Sequence, residues 1–372
     1  MGKKIPLYDV HKELGASFGE FAGWTTVINY SSIMEEHMAV RKRAGFFDLS
    51  HMGRLLLSGP DTVRLLDKLV PRYIESERGQ MVGPTAFLTE NAGFIDDIML
   101  YNMGERWMIV PNAMNIDKDK EWVEKWSQEL GLTVKVDDKT MEWVLFAIQG
   151  PEAIEVMKKL GAPPEILELK LLKFKENVRF EEASATTILV SRSGWTGEDG
   201  FEIIAEASEG EKILRKVHEL GVQLCGLGAR DSLRIEVGFV LYGDEIDEET
   251  TPVDARYWWV YQPGPKRDCV GCRALREAMR RGASKIRLAI KLGKGQRIIP
   301  RKGDKILVED VEVGYVTSGT YSPILGRSIG QAYLKPSHAL IGMSVTLEHR
   351  ARRVKAKIAD FPLVKPTSTP PT

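Results

Sequence analysis

Three short stretches of this 372-residue chain carry residue types at spacings that could do chemistry. Asp96-Asp97 opens a run read as a strand over 94–101. Successive strand side chains point to opposite faces, so only one of the pair can face a pocket. If that one is Asp97, Met99 and Tyr101 share its face. A carboxylate beside Met and Tyr on a buried face needs a partner to offset its desolvation. On residue type alone, the pair therefore reads as a solvent-exposed turn acid. The second stretch is Ser193-Gly194-Trp195-Thr196-Gly197-Glu198-Asp199-Gly200-Phe201-Glu202. Its three glycines let the backbone approach something closely, Trp195 offers a flat apolar face, and Glu202 places a carboxylate where the chain returns as a strand. That set suits a flat heteroaromatic ring with donor nitrogens, and equally a long hairpin turn whose Trp only packs. No Gly-Lys-Ser/Thr closes it, so it is not a phosphate-binding loop. The third is Cys269-Val270-Gly271-Cys272, which lacks the second Cys or His pair that zinc needs. The six histidines, among them His11, His37 and His51, show no metalloprotease or triad pattern and read as structural.

The elements that must position these residues follow from periodicity. An ungapped internal repeat aligns 57–69 with 148–160, each reading as strand, Gly-Pro turn and helix. Gly59-Pro60-Asp61 and Gly150-Pro151-Glu152 place a preset φ and an acid at the helix start. Val63, Leu66 and Leu69, and likewise Ile154, Met157 and Leu160, then recur at helical spacing. Two copies suggest two similar α+β domains. Strands over 94–101 and 106–110 form a hairpin, and 115–130 reads as a helix with Ile116, Val123 and Trp126 inward. A second hairpin pairs 186–191 with 200–205 across the glycine-rich turn, and helices follow over 209–220 and from Gly226 to Gly238. From about Ser284, short Val/Ile/Leu-rich segments (285–290, 305–309, 311–317, 344–347) spaced by Gly, Pro and Asp read as a small all-β barrel. The tail 365–372, nearly all Pro, Ser and Thr, reads as disordered at its end.

The totals, 52 Lys+Arg against 52 Asp+Glu, hide segments that are not neutral. Residues 264–310 hold 14 basic and 5 acidic residues, and 244–249 hold five acids in six positions. A basic surface can steer an anionic partner whatever the sum. The length suits two or three domains, and no apolar run approaches the roughly 20 residues of a membrane span. The N-terminus lacks the apolar stretch of a secretory signal. Three cysteines cannot form an even disulfide framework, so a reducing, cytoplasmic location is expected.

Taken together, Phe21-Ala22-Gly23-Trp24, Tyr30-Ser31-Ser32-Ile33, Glu35-Glu36-His37, Arg41, the run from Gly45 to Gly53, Ile95-Asp96-Asp97, the run from Gly194 to Glu202, Gly228-Ala229-Arg230-Asp231-Ser232-Leu233-Arg234 and Leu241-Tyr242-Gly243 occur in an order that resembles the T-proteins of the glycine cleavage system, the folate-binding aminomethyltransferases. The resemblance runs from about Pro6 to Val364. It implies a three-domain cloverleaf of class α+β, with two ferredoxin-like α+β domains and a C-terminal β-barrel around a central pterin pocket. Residues 1–52 and 142–250 would form a discontinuous folate-binding domain, 53–141 the second domain, 251–283 a linker, 284–364 the barrel and 365–372 a tail. The implied reaction moves the methylene carbon of an aminomethyl group from the lipoyl arm of H-protein to tetrahydrofolate and releases ammonia, with no metal, nucleic acid or membrane involved.

Carried over by position, Asp97 would be the catalytic acid facing folate N10, with Met99, Tyr101 and Val110 lining its pocket. Glu202 would accept hydrogen bonds from the pterin, and Asn112 would supply polar contact from the neighbouring strand. Arg230 would face the glutamyl carboxylate or brace the acids, and Lys365 would lie beside the tail of the cofactor. Relatives usually have Tyr where this chain has Trp195 and Pro84, and often where it has Phe239, so the acceptor could be a modified tetrahydropterin. Two other readings of the fold are a folate-dependent demethylase of a small methylated amine and a non-catalytic folate-binding assembly factor. The latter centres on a Lys-Gly-Cys-Tyr-x-Gly-Gln motif, which Lys266-Arg267-Asp268-Cys269-Val270-Gly271-Cys272 matches poorly.

Overall fold

A computed structural model describes residues 2–262, 264 and 268–369; Lys266 and Arg267 of the assembly-factor comparison lie outside them. One mixed sheet and one antiparallel sheet, flanked by helices, and one closed barrel account for most of the chain. The first sheet has six strands in the order Phe174–Glu176, Leu189–Arg192, Gly200–Glu206, Trp143–Gln149, Gly45–Asp48 and Gln223–Cys225. The second has five, in the order Gln80–Leu88, Phe94–Asn102, Arg106–Val110, Leu55–Ser58 and Lys135–Asp138. The barrel closes through Ile286–Leu292, Arg327–Leu334, Val311–Ser322, Lys305–Val308, Ser344–His349 and Arg352–Ala359. Among the described residues, no helix is long and apolar enough to cross a membrane.

Every residue of the strand Trp143–Gln149 is buried. Val144, Phe146 and Ile148 pack among the helices of the first sheet's outer face, whereas Leu145 and Ala147 face inward. There they join Leu189, Ile204 and, from the second sheet, Met81, Tyr101 and Met108 in one apolar layer. The far face of the second sheet, with Leu57, Leu100 and Ile109, packs on Leu65, Leu66, Leu69, Ile116 and Val123. A layer between two sheets is the setting for a central cavity.

The duplicated Gly-Pro units adopt the same backbone, with φ +128° at Gly59 and +132° at Gly150. A β-carbon at Gly150 would sit 2.4 Å from the Arg43 carbonyl oxygen and 2.6 Å from that of Val40. Left-handed φ and backbone contact both forbid a side chain there, so Gly150→Ala is expected to lower the unfolding free energy by about 2 kcal/mol or more, read by urea denaturation. Not all of the helical reading holds. Val63 is exposed and Leu65 takes its inward place, because the helix Thr62–Leu69 turns its Leu65/Leu66/Leu69 face to the core. The Asp61 carboxylate makes no capping bond to its own helix and instead accepts from the Thr133 amide at 2.8 Å.

Two further expectations gain detail. Within the expected linker 251–283, Val253, Ala255, Tyr257, Val260, Leu275 and Ala278 are buried with Ala86, Leu88 and Phe94. Cys269 and Cys272 are joined as a disulfide, their Cα atoms 5.1 Å apart, because a turn before the helix Cys272–Arg281, with Gly271 at φ +76° and the Cys272 amide donating to the Cys269 carbonyl (3.1 Å), brings them together; Cys225 is free and buried. The tail is tied down at Thr367 and Ser368, while its end, 370–372, which the sequence reads as disordered, lies outside the described residues. Thr367 and Ser368 donate backbone and hydroxyl hydrogen bonds to Glu198 at 2.7–3.0 Å, and the Ser368 hydroxyl accepts from the Asp199 amide at 3.0 Å.

Candidate functional site

A cavity of about 910 Å³ lies at the junction of the two sheets. The strand Phe94–Asn102 contributes Asp97, Met99 and Tyr101 to its wall, as alternation requires of residues two apart, and Val110 is paired with Met99 across the sheet. Asp96 points the opposite way and is fully buried. The exposed-turn reading of the acid pair is thereby overturned: the carboxyls are held by partners that sequence spacing alone does not reveal. Asn112, two residues beyond the strand Arg106–Val110 rather than within it, donates from Nδ2 to Asp97 Oδ1 (2.8 Å) and to Asp96 Oδ1 (2.8 Å), and from its amide to Asp96 Oδ2 (2.8 Å). The Tyr257 hydroxyl donates to Asp97 Oδ2 at 3.2 Å.

These contacts leave Asp97 with a raised pKa. Burial is the largest cause and the Asp96 charge the next, and together they outweigh the hydrogen bonds from Asn112 and Tyr257, lifting Asp97 to about 7. A carboxyl poised there can both take up and give back a proton at neutral pH. Turnover is accordingly expected to change through a titration near pH 7, measured as kcat against pH, rather than near pH 4 as for an ordinary aspartate.

The glycine-rich turn supplies the opposite wall. Its glycines serve the fold before any ligand: a β-carbon at Gly194 or Gly200 would fall within 2.3 Å of the buried Gln149 side chain. Gln149 is held in turn by the Ser193 carbonyl, to which it donates at 2.9 Å, and by the Thr196 hydroxyl, from which it accepts at 2.9 Å. Thus seated, the turn directs Ser193, Trp195 and Glu202 at the cavity. The Ser193 hydroxyl donates to Glu202 Oε2 at 2.6 Å. Trp195 donates to the Val240 carbonyl at 3.2 Å and lies against Phe239, with ring centroids 4.6 Å apart, while Trp259 meets Phe239 edge-on at 5.8 Å.

From the helix Leu227–Val237, Arg230 enters the cavity with its Nη1 lacking a hydrogen-bond partner among the described residues. Burial lowers its pKa to about 10 despite the opposing charge of Glu202. Arg234, one turn on, is occupied: it bonds Asp231 (2.7 Å), Glu245 (2.8 Å) and the Phe239 carbonyl (3.1 Å). Pro84, after a cis peptide bond, also lines the cavity. Lys365 does not: it is exposed and outside the cavity wall, its segment being drawn instead to Glu198.

The structure adds residues that the sequence left aside. His51 lines the cavity, with burial and the nearby Arg230 charge pushing its pKa down to about 3, so it is a neutral ring. His11 and His37 are indeed structural, bonded to Asp48 (2.6 Å) and to Ser232 (2.7 Å). Tyr257, Trp259, Tyr261 and Gln262 come from the stretch expected to be a linker. Their signal was the aromatic density of Tyr257-Trp258-Trp259 and Tyr261, unusual for a loose connection. No group of His, Cys, Asp and Glu that could hold a metal ion occurs among the described residues.

With this geometry in view, comparison with known proteins is informative. The family model described as the GCVT N-terminal domain matches residues 7–263, and that described as the glycine cleavage T-protein C-terminal barrel domain matches 285–365. A probable aminomethyltransferase of Aeropyrum pernix is 43% identical over 365 residues, covering 96% of each chain. An aminomethyltransferase of Rubrobacter xylanophilus is 38% identical, covering 98% of this chain and 94% of its own. The crystal structure of glycine cleavage system aminomethyltransferase T from Bartonella henselae superposes with a TM-score of 0.88 at 32% identity, covering 98% of this chain and 99% of its own. By sequence along nearly its whole length, and by the same α+β and barrel architecture, this chain belongs to the glycine cleavage T-protein family of aminomethyltransferases.

Proposed function

We propose that the central cavity takes a reduced pterin as acceptor, with its arylamine nitrogen at Asp97, and that the donor is the aminomethyl group on the lipoyl arm of H-protein. In that reaction the methylene carbon gains two bonds to pterin nitrogens and loses its bonds to the lipoyl sulfur and to the amine. The two protons leaving the pterin nitrogens balance the thiol and the ammonia released. The observation that supports Asp97 in this role is its place in the cavity wall with a carboxyl poised near neutrality. It can accept the proton of the attacking nitrogen and return it to a leaving group. Glu202, aligned by Ser193, is an acceptor suited to the N–H edge of a pterin, and the unpartnered Nη1 of Arg230 is a donor suited to a carboxylate or ring oxygen. The demethylase and assembly-factor readings gain nothing from the family comparisons. Ammonia release from aminomethylated H-protein, dependent on a tetrahydropterin, tests the proposal; no release with any reduced pterin overturns it.

The aromatic wall of Trp195, Phe239 and Trp259, together with Pro84, supports a modified tetrahydropterin over ordinary tetrahydrofolate, since the family's tyrosine hydroxyls are replaced by apolar surface. Direct titration with both is expected to favour the modified pterin, and tighter binding of tetrahydrofolate would sink this preference. For the acidic carrier, the strand Arg352–Ala359 turns Arg352, Arg353, Lys355 and Lys357 outward, and the helix Cys272–Arg281 ends in Arg280 and Arg281. Raising salt from about 50 to 500 mM is expected to raise the KM for the carrier several-fold while leaving pterin binding nearly unchanged.

A further inference from the structure

Behind Asp97 lies a third carboxyl that the proposed chemistry does not use. Asp119, in the first turn of the helix Ile116–Glu129, is fully buried, and neither of its oxygens has a hydrogen-bond donor among the described residues. Its carboxyl is within hydrogen-bonding reach of Asp96. Asp96 is already well supplied: Oδ1 accepts from Asn112 Nδ2 (2.8 Å) and Asn115 Nδ2 (2.7 Å), and Oδ2 accepts from the Asn112 amide (2.8 Å). Two facing carboxylates, both ionised and both out of water, are far too costly to persist; one must hold a proton. Burial raises Asp96 as well, but the three amide donors oppose that rise and make Asp96 the more readily ionised of the two, which leaves the proton on Asp119.

We propose that Asp119 is a positioning residue for Asp97: it stays protonated at neutral pH, donates its O–H to Asp96, and so holds Asp96 charged and fixed beside Asp97. The arrangement places a neutral acid, an anion and the reacting carboxyl in a row, with Asn112 bridging the last two. Burial, then the Asp96 charge and the contact with Asp96, raise Asp119 well above the ordinary aspartate range; Lys118, bonded to the Tyr242 hydroxyl (2.7 Å) and Glu248 (3.2 Å), opposes this, and the Asp97 charge adds least. On the Asp97 side the facing group is Tyr257, itself kept un-ionised by burial and by Asp97. Tyr242 contributes no charge either, its phenol being raised by burial. The Asp96 charge, which Asp119 maintains, is therefore a principal reason Asp97 titrates where it does.

This inference rests on the reading of Asp97 given above, and its test separates the two. At pH 9, infrared spectroscopy of the wild type is expected to show a protonated-carboxyl band that disappears in Asp119→Asn, with no activity measurement involved. Asp119→Asn keeps an N–H donor toward Asp96 and is expected to retain kcat within about threefold and the wild-type pH profile. Asp119→Ala removes one of the donors that oppose the effect of burial on Asp96, so Asp96 takes up a proton more readily and its charge is withdrawn in part. The titration of kcat assigned to Asp97 should then move down by about one pH unit or more, a roughly tenfold change in the proton equilibrium. A merely structural Asp119 would lower kcat without moving the titration. Superimposable pH profiles for Asp119→Ala and wild type, or no infrared difference for Asp119→Asn, would overturn the proposal. If Asp119→Ala does not fold, the infrared comparison with Asp119→Asn decides alone. If instead Asp97→Asn retains full turnover, the catalytic reading of Asp97 fails while the infrared result still decides where the proton sits.

Discussion

Asp97→Asn is expected to lower kcat by about 10²–10⁴-fold, the range that loss of a positioned acid–base group gives, and at the same time to make the folded protein more stable at pH 8. The two effects have one cause. Asp97 is held to about 7 by burial and by the Asp96 charge, against an ordinary value of 3.8. Between those two values the unfolded chain has released the proton and the folded chain retains it, so folding stability falls as pH rises from about 4 to about 7 and stays reduced above. The amide is isosteric and carries no charge. It still accepts from Asn112, and its N–H₂ can donate to the Tyr257 oxygen, so both polar contacts survive. The gain at pH 8 is on the order of 1–3 kcal/mol and should vanish near pH 4, where wild type and variant are both neutral. Urea denaturation at the two pH values, beside ammonia release at saturating pterin, measures both halves. An inactive variant that is no more stable at pH 8 would mean that the site does not hold this carboxyl in an unfavourable state; an active one would remove Asp97 from the chemistry.

The same residue shows what the sequence could and could not disclose. Alternation alone put Asp97 on one face with Met99 and Tyr101, and that arrangement is what the cavity wall displays. Residue type alone favoured exposure, because the donors that make burial tolerable, Asn112, Asn115 and Tyr257, lie 15, 19 and 160 residues from the acids they serve. Long-range polar contacts leave no periodic trace. Local signals fared better: the Gly-Pro repeat foretold two equivalent turns, and the barrel was legible from short β-branched segments between turn residues. The glycines of 194–200 were correctly read as permitting a close approach, but the approaching group is Gln149 at Gly194 and Gly200 and Val237 at Gly197. Composition gave no sign of the anchoring at 367–368, inside a tail read as disordered at its end. Thr367 and Ser368 are ordered by a buried carboxylate whose need for donors is visible only in three dimensions.

That carboxylate belongs to the second large expected effect: Arg41→Met should destabilise the protein by about 3–5 kcal/mol, the cost of leaving buried charge uncompensated. Arg41 is almost wholly buried in the helix Ile33–Lys42. It reaches Glu198 (2.9 Å) in the glycine-rich turn and Glu236 (2.9 Å) in the helix Leu227–Val237. Glu236 also meets His37 (3.2 Å) and accepts from Ser322 of the barrel (2.5 Å), while Glu198 accepts from the tail. One guanidinium thus joins both helices, the turn beside Trp195, the barrel and the C-terminus. Methionine fills much of the volume but supplies no charge, and the hydroxyl and amide donors that remain cannot offset two carboxylates. For a protein whose total stability is on the order of 5–15 kcal/mol, this loss is a large fraction. The electrostatic origin predicts a particular pH dependence. In the wild type Glu236 is held below its ordinary range, burial pushing it up and His37, Arg41 and Ser322 prevailing. Without Arg41, Glu236 should take up a proton more readily, so the gap between variant and wild type should narrow as pH falls from 7 toward 4.5. Pairing the variant with Glu198→Gln should recover part of the loss, because one of the two stranded charges is gone. Urea denaturation of the four proteins in that cycle at both pH values measures the coupling, and a loss that neither acid nor the second substitution relieves would assign Arg41 a packing role instead.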